Sequence, residues 1–192
     1  NRCYKAAGYG PETVELLEAH GTGTVAGDLA EFKAASAVFD EAGPDARQWC
    51  ALGSVKSQLG HTKSAAGVAG LIKVVLALQH KVLPPIIKVD NPDPRLEIEQ
   101  SPFYLNTRTR PWVRDGAHPR RAAVSSFGFG GTNFHVTVEE YQGESKPAWR
   151  QRTMASEMVL LAADTPEEII ARCKELASNL VDDPDLLVHL AR

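Results

Sequence analysis

Between Ala65 and Leu78 the sequence reads AAGVAGLIKVVLAL, and its only charged residue is Lys73. Val68, Leu71, Ile72, Val74, Val75, Leu76 and Leu78 point in all directions around a turn of about 3.6 residues. The segment is therefore predicted to be a helix buried on every side, with Lys73 as its one contact with solvent. Its early Ala and Gly residues let other elements approach its backbone closely. Burying a large apolar side chain is worth about 1.5–3 kcal/mol. Leaving even two of these exposed would remove much of a domain's stability. The other elements readable in the chain are too few to enclose the helix, so a missing polypeptide half is expected to cover one flank. The helix is shorter than the roughly 20 residues that span a bilayer, and no membrane association is expected.

Around this helix the pattern is that of an α/β protein. Val14–His20 (VELLEAH) follows a turn signal and reads as a buried strand. GDLAEFKAASAVFDEAG reads as a helix with Leu29, Phe32, Ser36 and Phe39 on one face, and Asp28 with Glu31 resembles a capping box at its start. WCALGSVKS reads as a second strand. The Pro-rich stretch from Ile86 to Val113 reads as an extended excursion with short edge strands. RRAAVSSFGFGGTNFHVTVEEY reads as strand, Gly loop and strand, with Phe134, Val136 and Val138 alternating with His135, Thr137 and Glu139. QGESKPAWRQRT has the composition of a linker. EMVLLAAD and TPEEIIARCKELASNL then suggest a strand and a helix that begin a small α/β unit. RCYKAAG looks like the end of a helix closed by Gly8, and PDLLVHLAR stops inside a helical pattern. The sequence is thus expected to be a segment of a longer polypeptide.

Two histidines sit where chemistry is often placed. His20 ends a strand and opens the small-residue loop GTGT, and α/β proteins bind ligands at such strand ends. His61 stands before the buried helix, in the positive field of unpaired N–H groups, with Lys56 five residues earlier. A positive field disfavours imidazolium, which suits His61 as a neutral N–H donor to a developing oxyanion. By spacing alone, either residue could equally bond only its own loop. The loop FGFGGTN lacks the third Gly of a dinucleotide fingerprint and is followed by a strand, and HGTGTVAGD lacks the Lys of a P-loop. Phosphate binding is therefore not expected, and the histidines show no metal-ligand spacing. His80, His118 and His189 read as surface or loop residues. The net charge of -3 gives no footprint for nucleic acid. Cys3, Cys50 and Cys173 form neither a disulfide framework nor a zinc site, which points to a reducing cytoplasm.

Taken together, His20 in EAHGTGT, Lys56 and His61 in VKSQLGHTKSAAG, and SSFGFGGTN in that order resemble one family. The stretch from about Arg2 to Tyr141 is similar to the C-terminal half of a β-ketoacyl synthase, the ketosynthase domain of polyketide and fatty-acid synthases. GHTKSAAGVAGLIK is most similar to ketosynthases of large iterative synthases of the enediyne or polyunsaturated-fatty-acid kind. The resemblance divides the chain into residues 1–141, the ketosynthase half, and residues 142–192, the linker that follows it.

The resemblance implies a thiolase-like fold with layers α-β-α-β-α, of which this chain would supply the second half. It implies decarboxylative Claisen condensation of an acyl thioester with a malonyl thioester. His20 and His61 match the family's catalytic histidines and Lys56 its supporting lysine. Thr22 and Thr24 match positions that hydrogen-bond a phosphopantetheine arm. Phe129 matches a mobile aromatic gate beside the acyl pocket, with Gly128, Gly130 and Gly131 allowing it to move. No cofactor is bound directly, because substrates ride on the phosphopantetheine of an acyl carrier protein. The implied partners are the N-terminal half with its nucleophilic cysteine, the carrier protein, an adjacent acyltransferase domain and a second copy in a homodimer. Cys3, Cys50 and Cys173 stand in the wrong contexts for the nucleophile, so the chain alone is expected to be inactive. Gly70 stands where some stand-alone members carry a glutamate. The alternative within the resemblance is a non-catalytic partner that binds acyl chains or promotes dimerisation.

Overall fold

The computed structural model describes residues 1–43, 46–114, 116–128, 130–143 and 159–181. Its elements are α1 (Arg2–Ala7), β1 (Leu16–Glu18), α2 (Val25–Ala42), β2 (Cys50–Gly53), α3 (Lys56–Leu59), α4 (Ala66–His80), β3 (Val82–Leu83), β4 (Phe103–Leu105), β5 (Arg110–Pro111), β6 (Arg121–Phe127), β7 (Asn133–Glu139) and α5 (Pro166–Val181). They fall into two compact units, Asn1–Ser145 and Lys146–Arg192.

The first unit is built on a five-stranded sheet of order β4-β2-β1-β6-β7. β1 lies parallel to both β2 and β6, β2 lies parallel to β4, and only the edge strand β7 is antiparallel. β3, just after α4, and β5, in the Pro-rich excursion, form a separate antiparallel pair. Strand residues alternate between the two faces of the sheet. Leu17, Cys50, Phe103 and Ala123 turn to one face and meet Tyr4 of α1 with Phe32 and Phe39 of α2. Leu16, Ala51, Ala122 and Val124 turn to the other and meet Val74, Ala77 and Leu78 of α4. Parallel strands need crossover connections, and α2 supplies the one between β1 and β2. The result is a three-layer α/β/α arrangement.

Helix α4 differs from its sequence expectation in two ways. Ala66, Gly70, Val74, Ala77 and Leu78 are buried against the sheet, whereas Val68 (58% exposed), Ile72 (54%), Val75 and Leu76 form an apolar stripe facing out. Burial on every side is therefore not achieved by this chain. Nor does Lys73 supply a solvent face. Its side chain is 9% exposed, and its Nζ lies 2.7 Å from Oε2 of the buried Glu18. A buried carboxylate on the sheet draws the ammonium inward, because neither charge is tolerable there alone.

Two further expectations are corrected. Asp28 and Glu31 do not form a capping box, because α2 begins at Val25 with Thr24 as its N-cap. Both carboxylates instead accept hydrogen bonds from the preceding loop. In the second unit, α5 is present, but Val159–Ala163 carries no strand. A strand needs a partner for its N–H and C=O groups, and no other described residue of that unit is extended. Residues 151–158, including the start of that expected strand, and His189 lie outside the described residues.

The alternation in β7 is as expected, with an unexpected polarity. Phe134 and Val136 are exposed, while His135 turns towards α1. His135 lies 2.9 Å through Nε2 from the Tyr4 hydroxyl and 2.9 Å through Nδ1 from Ser125 Oγ. This satisfied chain fixes α1 to the sheet, and burial raises the Tyr4 pKa and lowers that of His135. Among the described residues, no helix is long and apolar enough to cross a membrane.

Candidate active site

Because β1, β2 and β6 are parallel, the loops that follow them leave from one edge of the sheet. These are the three loops singled out in the sequence. His20 lies two residues beyond β1. Its N–H donates to Glu31 Oε1 at 2.8 Å, and the next N–H, of Gly21, donates to Glu31 Oε2 at 2.9 Å. Gly23 N–H donates to Asp28 Oδ1 at 3.2 Å. Helix α2 thus reaches back to hold the loop by its main chain. Gly21 has φ 43°, and a Cβ there would lie 2.9 Å from Ser54 Cβ, so the position requires glycine.

The second loop is held from beneath. Val55 N–H donates to Oε1 of Glu18, and Val55 is the N-cap residue of the α3 turn, which opens with Lys56. Gly60, at φ 78°, closes that turn and delivers His61. Lys63 N–H then donates to His61 Nδ1 at 3.0 Å. Accepting at Nδ1 assigns the proton of a neutral His61 to Nε2, leaving that N–H free to serve as a donor. The His20 and His61 rings meet edge to face with centroids 5.7 Å apart. Phe127, at the end of β6, lies 5.5 Å from the His20 ring.

The surroundings shift the titration of His20, Lys56 and Glu31. His20 is held below its ordinary pKa of 6.5, first by burial and then by electrostatic repulsion from Lys56 and from the neighbouring His61 ring, with Asp28 acting in the opposite sense. Burial also lowers the pKa of Lys56, opposed by Glu18 and Glu31. Burial raises the pKa of Glu31 against the two N–H bonds it accepts. An imidazole with a depressed pKa is neutral at pH 7 and can donate a hydrogen bond without carrying charge. Lys56→Met should accordingly move the His20 titration midpoint upward towards 6.5, read by NMR of the ring protons. An unchanged or lower midpoint would exclude Lys56 as a source of the field.

The structure therefore brings His20, His61 and Lys56 to one edge of the sheet. Thr22 and Thr24 are exposed on the His20 loop, with hydroxyl oxygens 3.2 Å apart. Gly130 and Gly131 have φ 84° and 89° in the β6–β7 loop, and Phe129 between β6 and these glycines lies outside the described residues. Cys50 is buried at the opposite end of β2, with its thiol pKa pushed well up by desolvation, and such a thiol is inert. Cys3, on α1, is partly buried and packs against the core. Among the described residues, no group of three or more His, Cys, Asp or Glu is placed to hold a metal ion. Two depressions, of about 380 and 390 Å³, lie around Trp49 and around Pro94, and neither is lined by His20 or His61.

Sequence reasoning missed Glu18, Glu31 and Lys73. Their partners lie at separations of 10 to 55 residues, which local patterns do not reveal. The visible trace was Lys73 as the only charge between Ala65 and Leu78, and Glu18 within the strand pattern VELLEAH.

Comparison with known proteins adds a second line. Residues 1–90 match the family described as beta-ketoacyl synthase, C-terminal domain. Residues 92–191 match the ketoacyl-synthetase C-terminal extension. The chain is 42% identical to polyketide synthase PksL of Bacillus subtilis over 95% of its own length and 4% of that protein. It is 44% identical to one component of the polyunsaturated fatty acid synthase of Thraustochytrium sp., over 90% of its length and 6% of that protein. A ketosynthase from module 6 of the bacillaene synthase of Bacillus subtilis superposes with a TM-score of 0.70 at 41% identity, over 94% of this chain and 30% of that one. The fold of these neighbours is thiolase-like. The chain thus spans a small part of each relative.

Proposed function

The chain belongs to the β-ketoacyl synthase family, and from that premise we propose that it forms part of a condensing enzyme of polyketide or fatty-acid chain elongation. The observation that carries this reading is the pair of imidazoles with centroids 5.7 Å apart, one with its Nδ1 tied so that a neutral ring carries its proton on Nε2. In the reaction, a malonyl thioester loses carbon dioxide and its carbonyl oxygen takes up negative charge as the enolate. The enolate carbon then attacks an acyl group held on a cysteine, forming the carbon–carbon bond and releasing the cysteine thiolate.

His61 donates its Nε2–H to the developing enolate oxygen, and His20 is the second donor to the same oxygen. Preorganised donors of this kind need no reorientation as charge develops. His20 Nδ1 is buried and has no hydrogen-bond partner among the described residues. A polar atom left so is a candidate for a catalytic contact. Lys56 supports the neutral state of His20. Thr22 and Thr24 stand on the approach to His20 and hydrogen-bond the phosphopantetheine arm of an acyl carrier protein. Phe129, with Gly130 and Gly131, gates the acyl pocket.

The nucleophilic cysteine belongs to the N-terminal half, which packs on the outer stripe of α4 formed by Val68, Ile72, Val75 and Leu76. Residues 1–141 belong to the condensing domain and residues 142–192 to the linker towards an acyltransferase domain, in a homodimeric cytoplasmic synthase.

Two experiments test the reading. The chain alone, incubated with an acyl thioester, should give no acylated Cys3, Cys50 or Cys173 by mass spectrometry. The intact synthase should acylate a cysteine outside this chain and convert it, with a malonyl thioester, to the β-keto product. Failure of the acylated synthase to form that bond would overturn the reading.

A further inference from the structure

Glu18 and Lys73 have no place in the scheme above, yet they form the most deeply buried ion pair among the described residues, at side-chain exposures of 2% and 9%. Replacing such a pair by apolar residues is often neutral or stabilising. Stability alone therefore does not account for it. An apolar residue could not do what Glu18 does with its other oxygen, which accepts the Val55 N–H at the start of the turn that carries Lys56.

The surroundings are shaped to admit the pair. A Cβ on Gly70 would lie 3.1 Å from Glu18 Cγ and 3.4 Å from Val124 Cγ1. A Cβ on Gly53 would lie 3.3 Å from Lys73 Nζ. Gly53 is the register partner of Glu18 across β1 and β2. The two glycines clear the space in which the carboxylate meets both Lys73 and Val55. Glu18 also precedes His20 by two residues on the same chain, so one side chain links the bases of both histidine loops.

We propose that Glu18 and Lys73 are a buried positioning pair for the condensing site. Glu18 anchors the main chain at Val55, and so sets Lys56 and His61 relative to His20. Lys73, from α4, pairs with one oxygen of the carboxylate and so keeps the other aimed at Val55. The inference rests on the condensing reading above. It concerns how the donors are placed, and neither residue touches substrate.

The test uses the intact synthase with Glu18→Gln, Lys73→Met, the double variant and Gly70→Ala, beside His61→Ala as the reference. Gly70→Ala is the mildest, because alanine favours a helix interior and its methyl group presses on Glu18. Misplacing a reacting group by about 1 Å can cost about 100-fold in rate. Glu18→Gln and Lys73→Met should lower kcat for condensation by about 10- to 100-fold. Gly70→Ala should lower it by a smaller factor. KM for the malonyl substrate and the rate of cysteine acylation should stay as in the parent. The double variant removes both charges and keeps an amide oxygen for Val55 N–H, so it should recover part of the kcat lost in Lys73→Met. Should Glu18→Gln fail to fold, Gly70→Ala and the double variant still decide. Parental kcat in the folded variants, with His61→Ala inactive, would overturn the positioning role alone. Full condensation by His61→Ala would instead overturn the reading on which it rests.

Discussion

His61→Ala in the intact synthase should lower carbon–carbon bond formation by about 100- to 1000-fold, on the scale of losing one oxyanion donor, about 2.7–4 kcal/mol. Acylation of the cysteine should proceed at nearly the parental rate, because only the enolate needs this donor. The expectation follows from one bond. Lys63 N–H occupies His61 Nδ1, so the ring has a single direction in which to donate. Separate measurement of acyl-enzyme formation and product release checks both halves of the statement. Parental decarboxylation and product formation would remove His61 from the mechanism, and loss of acylation would assign it a different step.

The largest effect on stability should come from Phe39→Ala. Phe39 is 1% exposed, and its ring meets those of Phe103 at 4.8 Å, Trp49 at 6.2 Å and Tyr4 at 6.3 Å. It thereby joins α2, the sheet and α1. Truncation of a buried Phe costs about 3–5 kcal/mol. For a chain of this size that corresponds to a fall in Tm of roughly 10 °C. Ile72→Ala serves as the contrast. Ile72 is as apolar but lies on the outer stripe of α4, so in this chain alone its truncation should cost no more than about 0.5 kcal/mol. Denaturant melts of the two variants compare them directly. Equal losses would mean that the two faces of the fold do not differ in packing.

The elements legible in the sequence were those with local signals. Gly8 closes α1 in the left-handed conformation, the alternation in β7 is present, and α4 begins within one residue of its expected start. The two histidines were legible as strand-end residues beside small side chains, and the structure places their rings together. What escaped was long-range polar pairing. Asp28 and Glu31 have the spacing of a capping box, but a free loop N–H competes for a carboxylate as well as a helix end does, and the loop holds them here. Lys73 read as the solvent face of α4 because hydropathy records a charge and not its partner. Glu18 lies 55 residues away in sequence. The strand expected near Leu160 had the right composition, but composition supplies no partner strand.

The hold of Glu31 on the His20 loop has a corollary. Its carboxylate grips two main-chain N–H groups and is indifferent to the side chains that the loop displays. The anchor therefore places no demand on the exposed side chains of Thr22 and Thr24, and whatever fixes their identity lies outside the loop's own fold. Gly21 has no such liberty, since Ser54 fills the space beside it. Within a few residues, the loop is divided into a position fixed by packing and neighbours that packing leaves unconstrained.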